Sequence, residues 1–228
     1  TDFGTAALFL VGNGTATTGN AVIRNNIFVN TSTPNGTGVT AVYRRSTTAI
    51  TNYSTTSNNN ILYAGAPSAT RLICYDATNS DITLVAFKTR MGGTRESNSL
   101  TELPPFLSTV GSSANFLHID PSVPTQVESG AVNITGYTDD YDGNIRQGNA
   151  GYAGTGTAPD IGADEVEATY VEHDVPAITY TAITTPSCTY SGMTITGVII
   201  TDATGIPLTG ANLPRIYYKK NTGSWFSQ

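Results

Sequence analysis

Charged side chains are scarce in this sequence. Asp, Glu, Lys and Arg together make up 12% of the 228 residues, about half of the usual share of about 25%. The stretch between Asp2 and Asp76 holds no acidic residue at all. Because glycosidases work with a pair of carboxylates, this gap argues against a catalytic site, and no catalytic residue is assigned.

The net charge of −6 and the lack of a basic stripe argue against a nucleic-acid partner.

Cysteines and long apolar runs are also rare. Cys74 and Cys188 fall in different predicted domains, so we expect no disulfide bond between them, and no C-x-x-C motif is present. No apolar run is long enough to span a bilayer. The sequence begins at Thr1 without an initiator Met and ends at Gln228 just after a strand-like run, which suggests a piece of a longer secreted polypeptide.

Short apolar runs recur along the first half of the chain. Two series of strand candidates repeat at intervals of about 32 residues, namely residues 6–11, 40–43 and 71–75, and residues 24–29 and 58–63. Internal periods of this length are typical of solenoids, here with two strands in each coil. The runs are β-branched and aromatic, which predicts strands, whereas residues 84–91 could form a short amphipathic helix.

Paired asparagines precede an isoleucine in both members of the second series. These are Asn25 and Asn26 before Ile27, and the pair at residues 59–60 before Ile61. Side-chain amides at equivalent positions of a repeat can stack as a ladder, so we predict a structural role. The alternative is hydrogen bonding to a ligand.

The segment from Thr138 to Glu165 carries two motifs that resemble a known class. Residues 140–146 read D-Y-D-G-N-I-R, and residues 160–165 read D-I-G-A-D-E. The pair is similar to the closing segment of secreted right-handed parallel β-helix proteins of the pectate-lyase-like kind. Residues 1–166 are therefore expected to be the last coils and the cap of such a β-helix.

An acidic joint follows these motifs. We place a linker at residues 167–176 and a second domain at residues 177–228, with strands predicted at 177–183, 193–201 and 215–219. This half resembles part of an immunoglobulin-like or fibronectin-like module appended to surface proteins of type IX-secreting bacteria. A complete sandwich needs about 100 residues, so the module is expected to be partial. The predicted fold class is all-β, a right-handed parallel β-helix followed by a partial Ig-like β-sandwich.

Tyrosines on successive predicted strands are candidates for carbohydrate binding. Tyr43, Tyr63 and Tyr75 could stack on sugar rings if they form an exposed ladder, with Arg44 beside them. The alternative is an internal aromatic stack, as β-helix interiors often contain. The resemblance to β-helix lyases also makes Arg44 a candidate base, but no carboxylate cluster accompanies it.

The turn that contains Asp140, Asp142 and Asn144 supplies hard oxygen ligands that suit Ca²⁺. The twelve-residue pattern of an EF-hand is not satisfied, and the alternative is a turn that bonds to its own backbone. His118 and His173 have no zinc-like spacing. We therefore predict no cofactor other than this calcium candidate.

The leading functional hypothesis is a fragment of a large secreted or cell-surface protein that acts as an adhesin or display stalk. It would be cargo of a type IX secretion system. Its partners would be a polysaccharide or cell-surface glycan, with the secretion machinery or another chain as further partners. The alternative hypothesis is an extracellular polysaccharide lyase or glycoside hydrolase whose active coils lie upstream of Thr1.

Overall fold

The computed structural model describes residues 2–15, 19–171, 177–181, 196–201, 214–215, 217–218, 223–224 and 226–227. The chain divides into two compact units, Thr1–Val171 and Glu172–Gln228. No described helix combines the length and the apolar character that a membrane span needs. The regular elements of the first unit are β1 Thr5–Leu10, β2 Ile27–Val29, β3 Thr40–Arg45, β4 Ile61–Tyr63, β5 Arg71–Tyr75, β6 Ser80–Asp81 and α1 Leu84–Arg90. Those of the second unit are β7 Ala177–Thr179, β8 Ile199–Thr201, β9 Tyr217–Tyr218 and β10 Phe226–Ser227.

The main sheet of the first unit has the order β1-β3-β5-β6. β1, β3 and β5 pair in parallel, and the register places Leu8 opposite Tyr43, and Tyr43 opposite Cys74. β2 and β4 form a separate parallel pair, with Phe28 opposite Leu62. The predicted positions and parallel pairing of these five strands are confirmed.

The paired asparagines link neighbouring segments as predicted. Asn60 Oδ1 accepts hydrogen bonds from the backbone N–H of Asn26 at 2.9 Å and from its side-chain amide at 3.3 Å. Asn25 and Asn59 both have φ 56°, the left-handed conformation that asparagine tolerates better than most residues. The predicted ladder is therefore confirmed for Asn26 and Asn60. The side-chain amides of Asn25 and Asn59 instead donate to the carbonyl oxygens of Val132 and Gly130.

Two apolar clusters form the core of the first unit. The first packs Val42, Tyr43 and Leu62 against Phe87 of α1, and the second surrounds Ile161. Thr83 caps α1, since its hydroxyl accepts a hydrogen bond from the backbone N–H of Ala86 at 3.2 Å. The predicted helix at residues 84–91 is thus confirmed, and its buried face closes over the first cluster.

The predicted fold class, an all-β right-handed parallel β-helix with a partial Ig-like sandwich, is wrong. The described residues form small separate sheets and one helix, with no closed or solenoid sheet. β6 pairs antiparallel with β5, so the main sheet is mixed. Beyond α1, the backbone hydrogen bonds of the first unit come from turns and isolated bridges. In the second unit, the antiparallel pairs β7–β8 and β9–β10 are two-stranded sheets.

Candidate functional site

A row of three side chains crosses the neighbouring strands β1, β3 and β5. The register pairs Phe9 with Arg44, and Arg44 with Tyr75. Side chains alternate between the faces of a strand, so this row lies on the face opposite Tyr43 and Cys74. Arg44 Cζ lies 5.2 Å from the centroid of the Tyr75 ring, and Phe9 is 55% exposed. We call Phe9, Arg44 and Tyr75 the outer row.

Arg44 contributes an available cation to the outer row. Within the part of the chain that the structure describes, its guanidinium stacks on Tyr75 but makes no hydrogen bond or ion pair. Arginine carries five N–H donors in a fixed planar arrangement. The outer row therefore combines exposed aromatic surface with donors that remain free for a ligand.

The other predicted tyrosines do not join the outer row. Tyr43 is 2% exposed and packs against the rings of Tyr53 and Phe87, with centroid distances of 5.2 Å and 6.0 Å. Burial raises the pKa of Tyr43 to about 12. Tyr63 lies half-buried on β4, in the other parallel sheet. The structure thus brings Arg44 and Tyr75 together, whereas Tyr43 belongs to an internal aromatic cluster.

The predicted calcium ligands lie in a turn that bonds to its own backbone. Asp140 Oδ1 accepts hydrogen bonds from the backbone N–H groups of Asp142 at 2.9 Å and Asn144 at 2.8 Å. Asp140 Oδ2 accepts from the Asn144 amide and from the Glu165 backbone N–H, each at 3.0 Å. Burial opposes ionisation here, but the hydrogen bonds prevail and hold the pKa of Asp140 below its usual range. Both Asp140 oxygens are therefore engaged within the protein.

Asp142 faces a histidine instead. Its Oδ2 lies 3.4 Å from His118 Nδ1, and Asp164 Oδ1 lies 3.7 Å from the same nitrogen. One ligand atom from each of these three residues lies within 4.8 Å of the other two. Sequence reasoning missed this cluster, since its residues come from three segments without metal-ligand spacing. Asp142 does lie in the D-Y-D-G-N-I-R motif, and Asp164 lies in the D-I-G-A-D-E motif.

A cleft of about 820 Å³ opens beside this cluster. His118 and Asp164 line it together with apolar side chains, among them Phe106, Phe116 and Ile161. Clefts of this size, mostly apolar with a few polar groups, are typical of small-molecule sites. The cluster therefore has direct access to a space that a ligand can enter.

Comparisons with known proteins give no relative for this chain. No family model matches it, and neither the curated proteins nor the solved structures provide a match. The functional argument therefore depends on the geometry of the outer row and of the His118 cluster. The predicted secreted or surface location and the type IX secretion route stay predictions.

Proposed function

We propose that this chain is a secreted or surface-displayed binding protein whose outer row contacts acidic carbohydrate. The observation that carries this proposal is the stacking of Arg44 on Tyr75 beside exposed Phe9. Strands in a sheet lie about 4.8 Å apart, so the row extends over about 10 Å. This width suits an extended polymer that lies across the strands.

The chemistry of the outer row fits sugars that carry a carboxylate. The exposed ring of Phe9 offers apolar surface on which the C–H groups of a sugar ring can pack, and Tyr75 adds the part of its ring that Arg44 does not cover. The guanidinium of Arg44 can donate two parallel hydrogen bonds to a carboxylate, which is a geometry specific to arginine. A uronate residue presents both features at once, whereas a neutral sugar presents only the first.

The local charge also favours an acidic ligand. Residues 3–75 contain four arginines and no acidic residue, although the whole chain has a net charge of −6. The nearest acid in the sequence after Tyr75 is Asp76, and Arg90 pairs with its carboxylate at 2.9 Å. A negatively charged polymer would therefore meet little repulsion at the outer row.

Calorimetric titration with uronate-containing and neutral polysaccharides tests this proposal. We expect the chain to bind the acidic polymers, and Arg44→Gln to weaken that binding by about 10- to 100-fold, since hydrogen bonds to charged groups contribute about 1.5–3 kcal/mol. Tyr75→Ala and Phe9→Ala should weaken it as well. Binding should weaken at high salt, because exposed charges are screened.

Two substitutions elsewhere serve as matched controls. Arg24→Gln removes the same charge and Tyr63→Ala removes the same ring, and both should leave the affinity unchanged. The proposal fails if the chain binds none of the acidic polymers. It also fails if Arg24→Gln weakens binding as much as Arg44→Gln, because binding would then follow general charge.

A further inference from the structure

The geometry points to a divalent-cation site formed by His118, Asp142 and Asp164, and we propose that its ion is Zn²⁺. This site goes beyond the proposed carbohydrate binding and uses other residues, so either proposal can fail without the other. An imidazole nitrogen and two carboxylates are established protein ligands of zinc. The three side chains offer one nitrogen and two oxygens that all lie within 4.8 Å of one another.

The distances from the histidine nitrogen to the two aspartate oxygens are close to those between the ligands of a small ion. Zinc ligands lie about 2.0–2.2 Å from the metal in tetrahedral geometry, so neighbouring donors lie about 3.3–3.6 Å apart. His118 Nδ1 lies 3.4 Å from Asp142 Oδ2 and 3.7 Å from Asp164 Oδ1. The Asp142 side chain is 41% exposed, so it has room to complete the coordination.

Backbone contacts hold the three segments in place. Asp164 Oδ2 accepts a hydrogen bond from the Ile119 backbone N–H at 2.8 Å, which leaves its Oδ1 directed toward the neighbouring histidine. The Tyr141 backbone N–H donates to Ala163 O at 2.8 Å, so the turn before Asp142 is tied to the segment before Asp164. Contacts of this kind, made by groups that do not themselves bind the metal, are called outer contacts here. They orient the metal ligands and raise their affinity for the metal.

The charges of these three side chains favour a bound metal cation over an ion pair between the histidine and an aspartate. Two carboxylates approach a single imidazole nitrogen, which carries at most one proton to donate. In residues 2–15 and 19–171, neither Asp142 nor Asp164 forms an ion pair with a lysine or arginine. The two aspartate oxygens lie within 4.8 Å of each other. Like charges this close repel, and a divalent cation between them relieves the repulsion.

The ligand set indicates zinc rather than calcium or magnesium. Imidazole suits Zn²⁺ and other transition metals, whereas Ca²⁺ and Mg²⁺ take oxygen ligands and prefer six or more of them. Three protein ligands leave a fourth position on a tetrahedral ion. Since His118 and Asp164 line the cleft of about 820 Å³, that position is accessible to water or to a small anionic ligand.

Calorimetric titration of the full chain with Zn²⁺ tests the site, with Ca²⁺ and Mg²⁺ titrated in parallel. We expect one zinc ion for each chain and no comparable binding of the other two ions. Loss of an outer contact weakens metal sites by about 10- to 100-fold, so loss of a ligand in His118→Ala or Asp142→Asn should weaken binding by at least that factor. Asp142→Asn changes an exposed side chain, so it gives a result even if His118→Ala does not fold.

The matched controls are His173→Ala, which removes the other histidine of the chain, and Asp139→Asn, which makes the same charge change in the same turn. Both should bind zinc like the parent chain. The proposal is overturned if the parent chain binds no zinc, or if His173→Ala loses the ion while His118→Ala keeps it. Preferential binding of Ca²⁺ that survives His118→Ala would also overturn it, and would favour the oxygen ligands of the turn alone.

Discussion

Tyr53 donates a hydrogen bond from its phenol hydroxyl to Glu96 Oε1, which joins two buried side chains 43 residues apart in the sequence. Glu96 Oε2 also accepts hydrogen bonds from the Asn60 amide at 2.9 Å and from the Ser99 hydroxyl. Burial raises the pKa of Tyr53, and the negative charge of Glu96 adds to this shift. The carboxylate therefore anchors the segment after α1 to the turn before β4.

A buried arginine lies beside the rings of Tyr43 and Tyr53. Arg45 is 1% exposed, and its Cζ lies 5.8 Å from the centroids of both the Tyr43 and Tyr53 rings. Its Nη1 donates to the Tyr43 hydroxyl at 2.6 Å and its Nη2 donates to Asn52 Oδ1 at 2.8 Å. Buried charges require such partners, because an uncompensated charge in the interior is costly. Arg45 Nε itself has no hydrogen-bond partner within the described residues.

Tyr53→Phe should lower the free energy of unfolding by about 1–3 kcal/mol. The substitution keeps the ring but removes one donor from a buried carboxylate, and an unsatisfied buried group costs about that much. Urea denaturation followed by circular dichroism measures the change. Tyr63→Phe is the matched control, since among the described residues the Tyr63 hydroxyl makes no hydrogen bond. Equal destabilisation by the two variants would show that the Glu96 contact contributes nothing.

Ile161→Ala should lower the free energy of unfolding by about 2–5 kcal/mol, the usual cost of truncating a large buried aliphatic side chain. Ile161 is 0% exposed and packs in the second core cluster with Ile61, Ile119 and Val127. The measurement is the same urea titration, with Val110→Ala as a control because Val110 is 62% exposed. A change below about 1 kcal/mol would mean that this segment does not hold the cluster together.

Local features of the first unit could be predicted from the sequence. Short apolar runs bounded by Asn and Gly marked β1, β3 and β5, and the repeat of Asn-Asn-Ile marked the turns before β2 and β4. The burial of Ile161 was also predicted, and it is confirmed. These features depend on side-chain alternation and turn chemistry, which act over a few residues and leave a visible pattern.

Long-range features could not be predicted in the same way. The period of the strands was extrapolated to the whole of residues 1–166, but β6 reverses direction and the chain after α1 runs mainly through turns. No pattern in the sequence places Asp142 and Asp164 beside His118, because irregular segments bring them together. The hydrogen bond between Tyr53 and Glu96 could not be predicted for the same reason.

The buried carboxyl group of Asp160 should make stability depend on pH. Burial raises the pKa of Asp160 to about 8, and the nearby carboxylates of Glu128 and Glu165 add to the shift. Hydrogen bonds from the backbone N–H groups of Val166 and Ser129, each at 2.7 Å, oppose it. The net effect is that the folded chain retains a proton on Asp160 at pH values where the unfolded chain has lost it.

The sign of the pH effect follows from this difference in proton binding. The ordinary pKa is 3.8 and the folded value is about 8, so the stabilisation is fully present below about pH 4 and is lost as the pH rises toward 8. The free energy of unfolding should therefore fall across this range, by up to about 1.4 kcal/mol for each pH unit. Urea titrations at intervals from pH 5 to pH 9 measure the slope.

Asp160→Asn isolates the contribution of this group from the other titrating side chains. The amide does not titrate, so the variant should lose the downward slope between pH 5 and pH 8, whatever its absolute stability. The difference between the parent chain and the variant should become constant above about pH 8, where Asp160 is ionised in both the folded and the unfolded chain. A parent chain whose pH dependence matches that of Asp160→Asn would contradict the prediction. In that case Asp160 would be ionised in the folded protein throughout the range, stabilised by its two backbone donors.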